Sequence, residues 1–344
     1  MEAYEPDKWS RPAMWQEQLP EMKVQCHLCP LECVLHPGQT GICRTRINNE
    51  GVVYTQAYGN PCSISIDPIE KKPLFHFFPG SGIYSLSTAG CNFRCLNCQN
   101  WQISQASPRT LQHFELTPLE VVQQALRHDT DSIAFTYTEP TVFYEYLLDT
   151  ASIAKEKGLK TVFISNGFIN KKPLAGLMPW LDAANIDLKC FDDEIYRHLD
   201  GGRLQPVLDT LKMLKAGGVW LEITNLLVPG YTDSPEMILV MCEWLVANGF
   251  ADTPLHFSRF FPTYKLKEIP STAETVLIHA KAIAEKCGMR FVYIGNVPDL
   301  HGENTICPVC RQLLIERVGY RVKSNYIHHG RCVFCGEPIP GVWQ

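Results

Sequence analysis

Between residues 81 and 298 short apolar runs rich in β-branched residues alternate with amphipathic stretches. A chain patterned in this way has few folds open to it. Residues 83–88, 132–136, 161–165, 185–188, 219–227, 255–257 and 290–294 read as strands. Thr117-Pro118-Leu119-Glu120 has the form of a capping box with proline at the first helical position. Val121, Val122, Ala125 and Leu126 then share one apolar face. Two more helices are expected over residues 235–247 and 273–287, with Gly249 and Gly288 at their C-terminal cap positions. Strands separated by helical crossovers make a parallel sheet covered by helices. Seven of them point to an α/β fold, an open or partial (β/α) barrel whose site lies at the carboxyl ends of its strands.

The 344 residues leave a flank on either side of this zone: residues 1–80, rich in proline and glycine, and residues 299–344. The net charge of −5 and the lack of a basic run argue against a nucleic-acid partner. No stretch of 18 apolar residues is present, so no membrane span is expected. The acidic start Met1-Glu2-Ala3-Tyr4-Glu5-Pro6-Asp7 is unlike a secretory leader, and a cytoplasmic location is expected. Of 15 cysteines, eleven fall into three clusters with metal-like spacing. In a reducing compartment such spacing indicates metal ligation rather than disulfides. Cys62, Cys190, Cys242 and Cys287 stand outside the clusters and read as small hydrophobic residues. For Cys190 a second role, hydrogen donor near an active site, stays open.

The central cluster, Cys91, Cys95 and Cys98, has the spacing C-x3-C-x2-C and directly follows the first expected strand. Three thiolates on a [4Fe–4S] cube leave one iron without a protein ligand, and an open position is what separates a catalytic metal from a structural one. A zinc site or a ferredoxin-like cluster is the competing reading, and it lacks a nearby fourth cysteine. The run Gly90-Cys91-Asn92-Phe93-Arg94-Cys95-Leu96-Asn97-Cys98 resembles the signature of the radical SAM superfamily. That resemblance implies S-adenosylmethionine bound at the open iron and cleaved by one electron to a 5′-deoxyadenosyl radical. The residue before the third cysteine is usually aromatic in that superfamily and is Asn97 here, which leaves Phe93 or Trp101 to stack on the adenine.

Further segments over residues 83–270 resemble the activating enzymes of pyruvate formate-lyase and other glycyl radical enzymes. In Thr136-Tyr137-Thr138-Glu139-Pro140, Glu139 matches the acidic position of a Gly-Gly-Glu segment, which implies a contact to the methionine amino group. A helix-starting Glu-Pro step is the alternative. Ser165 and Asn166, in Ile164-Ser165-Asn166-Gly167-Phe168, match a Thr-Asn-Gly-Phe segment and are implied cofactor contacts; a simple turn is the alternative. Asp187-Leu188-Lys189 is shared with these enzymes. Period two puts Asp187 and Lys189 on one face. The resemblance implies that Lys189 engages the S-adenosylmethionine carboxylate and that Asp187 holds a cation or orients the site; a structural ion pair is the alternative. His256 matches a histidine near the adenine, or is a satisfied core residue.

Cys26, Cys29, Cys33 and Cys43 form C-x2-C-x3-C-x9-C, suited to zinc or to an auxiliary iron–sulfur cluster. Cys307, Cys310, Cys332 and Cys335 form two C-x2-C knuckles that read as a zinc ribbon, with a rubredoxin-like iron site as the alternative. A segment this short needs such a staple. His328 and His329 read as surface residues. Together with Asp67-Pro68-Ile69-Glu70-Lys71-Lys72-Pro73-Leu74-Phe75-His76-Phe77-Phe78-Pro79-Gly80 and Asn296-Val297-Pro298, these clusters resemble the radical SAM enzymes of the AmmeMemoRadiSam system over nearly the full length. That resemblance implies a Memo-like and an AMMECR-type protein as partners, and radical chemistry implies an electron donor of the flavodoxin or ferredoxin kind. Glu70, Lys71, Lys72 and His76 are expected to line the site or bind a partner. Three functions follow: an enzyme abstracting hydrogen from a protein or peptide, as a glycyl radical activase does; one modifying a small molecule or non-glycyl partner; and a non-catalytic electron-transfer or binding protein.

Overall fold

The computed structural model describes residues 6–297 and 302–343. Residues 1–5, which carry most of the acidic start, and Pro298 lie outside the described residues. The centre is one eight-stranded sheet whose spatial order follows the sequence: β1 (Ser63–Pro68), β2 (Gly82–Ser87), β3 (Ser132–Phe135), β4 (Lys160–Ser165), β5 (Ala183–Asp187), β6 (Trp220–Leu227), β7 (Leu255–Arg259) and β8 (Val292–Gly295). Strands β2 to β8 are parallel, and β1 pairs antiparallel with β2. β1 and β8 are the two edges, so the barrel is partial.

All seven expected strands are present, with ends shifted by a residue or two. β5 stops at Asp187, so Leu188 and Lys189 belong to the turn beyond it. β1 lies upstream of residue 81 and was not expected, although Ser63-Ile64-Ser65-Ile66 alternates polar and apolar residues. The capping box forms: Thr117 Oγ1 accepts the Glu120 amide at 3.3 Å, and Glu120 takes the Thr117 amide at 2.7 Å. Helices Pro235–Ala247 and Glu274–Cys287 lie where periodicity puts them. Gly288 caps the second in a left-handed conformation, whereas the first is capped by Asn248, one residue before Gly249. Helices Tyr144–Glu156, Lys171–Leu177 and Leu204–Ala216 complete the crossovers.

The segment after β1 fills the barrel. Ile69, Leu74 and Phe77 pack against Ile83, Ala134, Val162 and Ala183, contributed by β2 to β5. Burying each large side chain is worth roughly 1.5–3 kcal/mol. The backbone of this plug runs through the interior, so its polar groups need partners. Asn185 Nδ2 donates to the Pro73 carbonyl at 2.7 Å. Glu222 on β6, fully buried, accepts the Phe75 amide at 3.0 Å and the His76 amide at 2.8 Å. It also pairs with His256 Nε2 at 2.7 Å and Trp220 Nε1 at 3.1 Å. Burial opposes this charge, but His256 and His76 outweigh it and hold the carboxyl below the usual range.

The same plug anchors the C-terminal module. His76 bonds the Pro340 carbonyl through Nδ1 and the Tyr293 hydroxyl through Nε2, each at 2.6 Å. Val342 N donates to the His76 carbonyl at 2.7 Å, and Phe78 N to the Val342 carbonyl at 2.9 Å. Arg317 Nη2 donates to the Phe75 carbonyl at 2.8 Å. The module itself is a three-stranded antiparallel sheet (Thr305–Ile306, Leu313–Val318, Arg321–Asn325) with a hairpin, Ile327–His328 and Arg331–Cys332. Among the described residues, no helix is long and apolar enough to cross a membrane.

Glu222→Ala is expected to lower stability by about 3 kcal/mol or more, since it strands two buried amides and a buried imidazole; thermal melting reads this as a fall of roughly 5–10 °C. A second expectation concerns pH. Burial pushes the His76 imidazole down to about 4. Below about pH 6.5 the unfolded chain takes up a proton there that the folded chain refuses. Stability conferred by neutral His76 is therefore lost as pH falls from about 6.5 to about 4. Urea midpoints for His76→Gln are expected to vary less across that window than those of the parent chain.

Candidate active site and metal centres

A cavity of about 550 Å³ opens at the carboxyl ends of the strands. Its wall takes Thr136, Ser165, Asp187, Ser258 and Gly295 from at or just beyond the ends of β3, β4, β5, β7 and β8. Cys91, Cys95 and Cys98 line it from the loop after β2. That loop is pinned at several points. Gly90, at φ +100°, has no room for a side chain: a Cβ there meets Thr45 Cγ2 at 2.5 Å and the Cys43 carbonyl at 2.6 Å. Arg94 N and Leu96 N donate to the carbonyls of Asp200 and Leu199, both at 2.8 Å. The Phe93 amide points at Cys91 Sγ, 3.3 Å away, and Ser104 Oγ lies 3.1 Å from Cys98 Sγ. Burial pushes the Cys91 and Cys95 thiols up, so thiolates form here only against a cation.

Glu139 is buried beside this loop, and its carboxylate accepts four hydrogen bonds. Oε1 accepts the Thr141 amide at 2.9 Å, the Thr141 hydroxyl at 2.6 Å and the Ser165 hydroxyl at 2.8 Å; Oε2 accepts the Asn166 amide at 2.8 Å. It thus caps the short 3₁₀ turn Pro140–Phe143 and faces the cavity at once, so the Glu-Pro step and the site position coincide. Burial raises its carboxyl despite these donors. Asn166 Nδ2 donates to Asn92 Oδ1 at 2.8 Å, and Asn92 Nδ2 to the Phe168 carbonyl at 2.9 Å. Asn92 thereby ties the cysteine loop to the end of β4.

Lys189 and Asp187 both reach the cavity and pair at 3.0 Å. Asp200, fully buried, stands close to Lys189 and Cys95. Burial pushes its carboxyl up to about 6, against the pull of Lys189. Burial likewise opposes the charge on Lys189, but Asp187, Cys95 and Asp200 hold the ammonium well above the lysine range. His256 lines the cavity with Nε2 committed to Glu222.

Glu70, Lys71 and Lys72 line the far wall, whereas His76 is turned into the core. Asp67 gathers Lys71 at 2.9 Å, Lys72 at 2.6 Å and the Tyr137 hydroxyl. Burial favours its neutral form, yet these three partners hold it well below the usual range. Burial brings Lys72 down to about 8. Glu303 and Tyr320 of the C-terminal module also face the cavity.

Packing bears on three residues whose roles the sequence leaves open. The Phe93 ring is buried between Phe168, Tyr196 and Gly202, where a Cβ meets it at 2.4 Å. Trp101 stacks on Tyr264, centroids 5.1 Å apart, outside the cavity wall. Phe93 is 1% exposed yet still contributes to the cavity wall, whereas Trp101 does not. Cys190 is fully buried, with Sγ 3.2 Å from the Asp192 carbonyl, and does not reach the cavity.

At the C-terminus Cys307, Cys310, Cys332 and Cys335 converge, with all four sulfurs within 4.8 Å of one another. Cys307–Cys335 and Cys310–Cys332 are each 3.7 Å apart. His328 and His329 are exposed. Cys26, Cys29, Cys33 and Cys43 line a separate pocket. Asn92, Tyr137, Asp200 and Glu222 escaped the sequence reading; of these, only Asn92, inside the cysteine motif, carried a local signal.

A model of the radical SAM superfamily matches residues 85–244. The uncharacterized protein MJ0808 of Methanocaldococcus jannaschii is 47% identical over 331 residues, 96% of this chain and 98% of that one. The pyruvate formate-lyase 1-activating enzyme of Escherichia coli K12 is 24% identical over 219 residues, 59% of this chain and 89% of its own length. For the pyruvate formate-lyase-activating enzyme of Clostridium pasteurianum the identity is 27% over 158 residues, 43% of this chain and 63% of that enzyme. Among solved structures, TYW1 with a lysine-pyruvate adduct matches with a TM-score of 0.46 at 18% identity, covering 65% of this chain and 83% of that one. The matched stretch begins in β2 and runs into the helix after β6, the part of the sheet that presents the three thiols, and the chain belongs to the radical SAM superfamily.

Proposed function

We propose that this chain reductively cleaves S-adenosylmethionine at a [4Fe–4S] cluster held by Cys91, Cys95 and Cys98, and abstracts hydrogen from a protein or peptide partner. The observation that carries this reading is a cavity of about 550 Å³ with three thiols, no fourth cysteine and the buried charged residues Glu70, Lys72 and Glu139 in its wall. That volume suits a ligand of nucleoside size. When bound, the cluster supplies one electron to the sulfonium, and the deoxyadenosyl group takes the hydrogen.

The chain's own residues prepare the place. Glu139 lines the cavity, and its Oε2, with the Asn166 amide as donor, retains a lone pair as acceptor for an ammonium. Lys189 is a fixed positive charge for a carboxylate, oriented by Asp187. Ser165 and Asn166 hold Glu139 in place through their hydroxyl and amide. The wall from Glu70 to Lys72 is the substrate side. In this reading a flavodoxin- or ferredoxin-like protein delivers the electron, and Memo-like and AMMECR-type proteins are the partners. The C-terminal quartet suits zinc: a Zn–S bond of about 2.3 Å sets tetrahedral sulfurs about 3.8 Å apart, against 3.7 Å here.

Anaerobically reconstituted protein, reduced with dithionite and given S-adenosylmethionine, is expected to release 5′-deoxyadenosine and methionine. The Cys91/Cys95/Cys98→Ala variant is expected to release none; equal product from both sinks the assignment. Glu139→Gln is expected to weaken S-adenosylmethionine binding about tenfold or more, with iron content unchanged, as read by equilibrium dialysis and iron analysis. Cys332→Ser is expected to abolish the one tightly held zinc and open residues 302–343 to limited proteolysis.

A further inference from the structure

We infer that Cys26, Cys29, Cys33 and Cys43 hold a second iron–sulfur cluster of the four-iron type, and not zinc. All four cysteines line one pocket, whose remaining wall includes Leu28, Leu35 and Val142. Spacing alone left zinc and iron equally suited. Geometry separates them. Thiolates on a single zinc must crowd to about 3.8 Å. The C-terminal quartet does so, and among the described residues it is the group whose ligand atoms all converge within 4.8 Å. The N-terminal thiols line one pocket without converging in that way, as suits ligands to four different metal atoms at the corners of a cube.

The second observation is the lining. Arg46 is 1% exposed and belongs to the pocket wall. Its Nη1 lies 3.9 Å from Cys26 Sγ, and its Nη2 pairs with Glu145 at 2.5 Å. Its Nε is buried with no hydrogen-bond partner. Thr45 Oγ1 lies 3.3 Å from Cys43 Sγ and 3.0 Å from the Val142 carbonyl. A buried cation with an unspent N–H complements an anionic cluster with bridging sulfides as acceptors. Apolar walls exclude water, which keeps such a cluster from being lost to hydrolysis.

The test counts metals in the full chain after anaerobic reconstitution with iron and sulfide. The parent chain is expected to carry about eight irons and one zinc. The Cys91/Cys95/Cys98→Ala variant, which removes the other site, is expected to keep about four irons and, once reduced, an electron paramagnetic resonance signal of a four-iron centre. That variant leaves the N-terminal ligands untouched, so its outcome does not depend on whether loss of the quartet unfolds the chain. Nor does it depend on the reading proposed for Cys91, Cys95 and Cys98. Two zincs in the parent chain, or no iron in the variant, overturns the inference.

Discussion

The buried carboxylate of Glu222 is the interaction on which the rest of the molecule hangs. A charge with no exposure survives in a barrel only if it is fully matched by donors. Here the donors come from three places: the plug backbone at Phe75 and His76, the imidazole of β7 and the indole of its own strand. The plug in turn carries the C-terminal module through His76, Phe78 and the Phe75 carbonyl. One acid in β6 thus fixes where the N-terminal flank enters the barrel and where the C-terminal flank closes on it. The cavity is walled by all three zones because all three meet at this point.

A second theme is how the site matches its charges. Glu139 has four donors, and Lys189 has Asp187 beside it with Asp200 behind. Such groups cost several kcal/mol if left unpaired, so their geometry is strongly constrained. The same contacts that satisfy them join strand ends that are distant in sequence: β3 to β4 through Glu139, and the cysteine loop to β4 through Asn92. Preorganisation and packing are one set of hydrogen bonds here.

The sheet was legible because its code is local: period-two runs, capping residues and glycines report on their own neighbourhoods. The thiol spacings were legible for the same reason. Glu222 was not, because inside Leu221-Glu222-Ile223 it looks like an ordinary outward-facing residue until the plug is threaded past it. Asp200, the last residue of the short helical segment Tyr196–Asp200, gains meaning only when the Cys95 loop is laid over it. The plug run was conspicuous as a motif, yet nothing in its composition says that Ile69, Leu74 and Phe77 enter the barrel while Glu70, Lys71 and Lys72 face the cavity. The surroundings of the aromatic candidates were hidden for a related reason: Phe93 and Trp101 pack on Phe168, Tyr196 and Tyr264, far along the chain.

Gly90 touches the Cys43 carbonyl on one side and begins the Cys91 loop on the other. With no side chain between them, the two loops behave as a weld rather than a hinge. A distortion at residues 43–45 has no slack to absorb it before it reaches residue 91. Damage to the N-terminal thiols, by an oxidant or by a poorly fitting metal, is therefore felt as misalignment at the mouth of the barrel. The flank that looks like an appendage is in mechanical terms part of the frame that aims the central thiols.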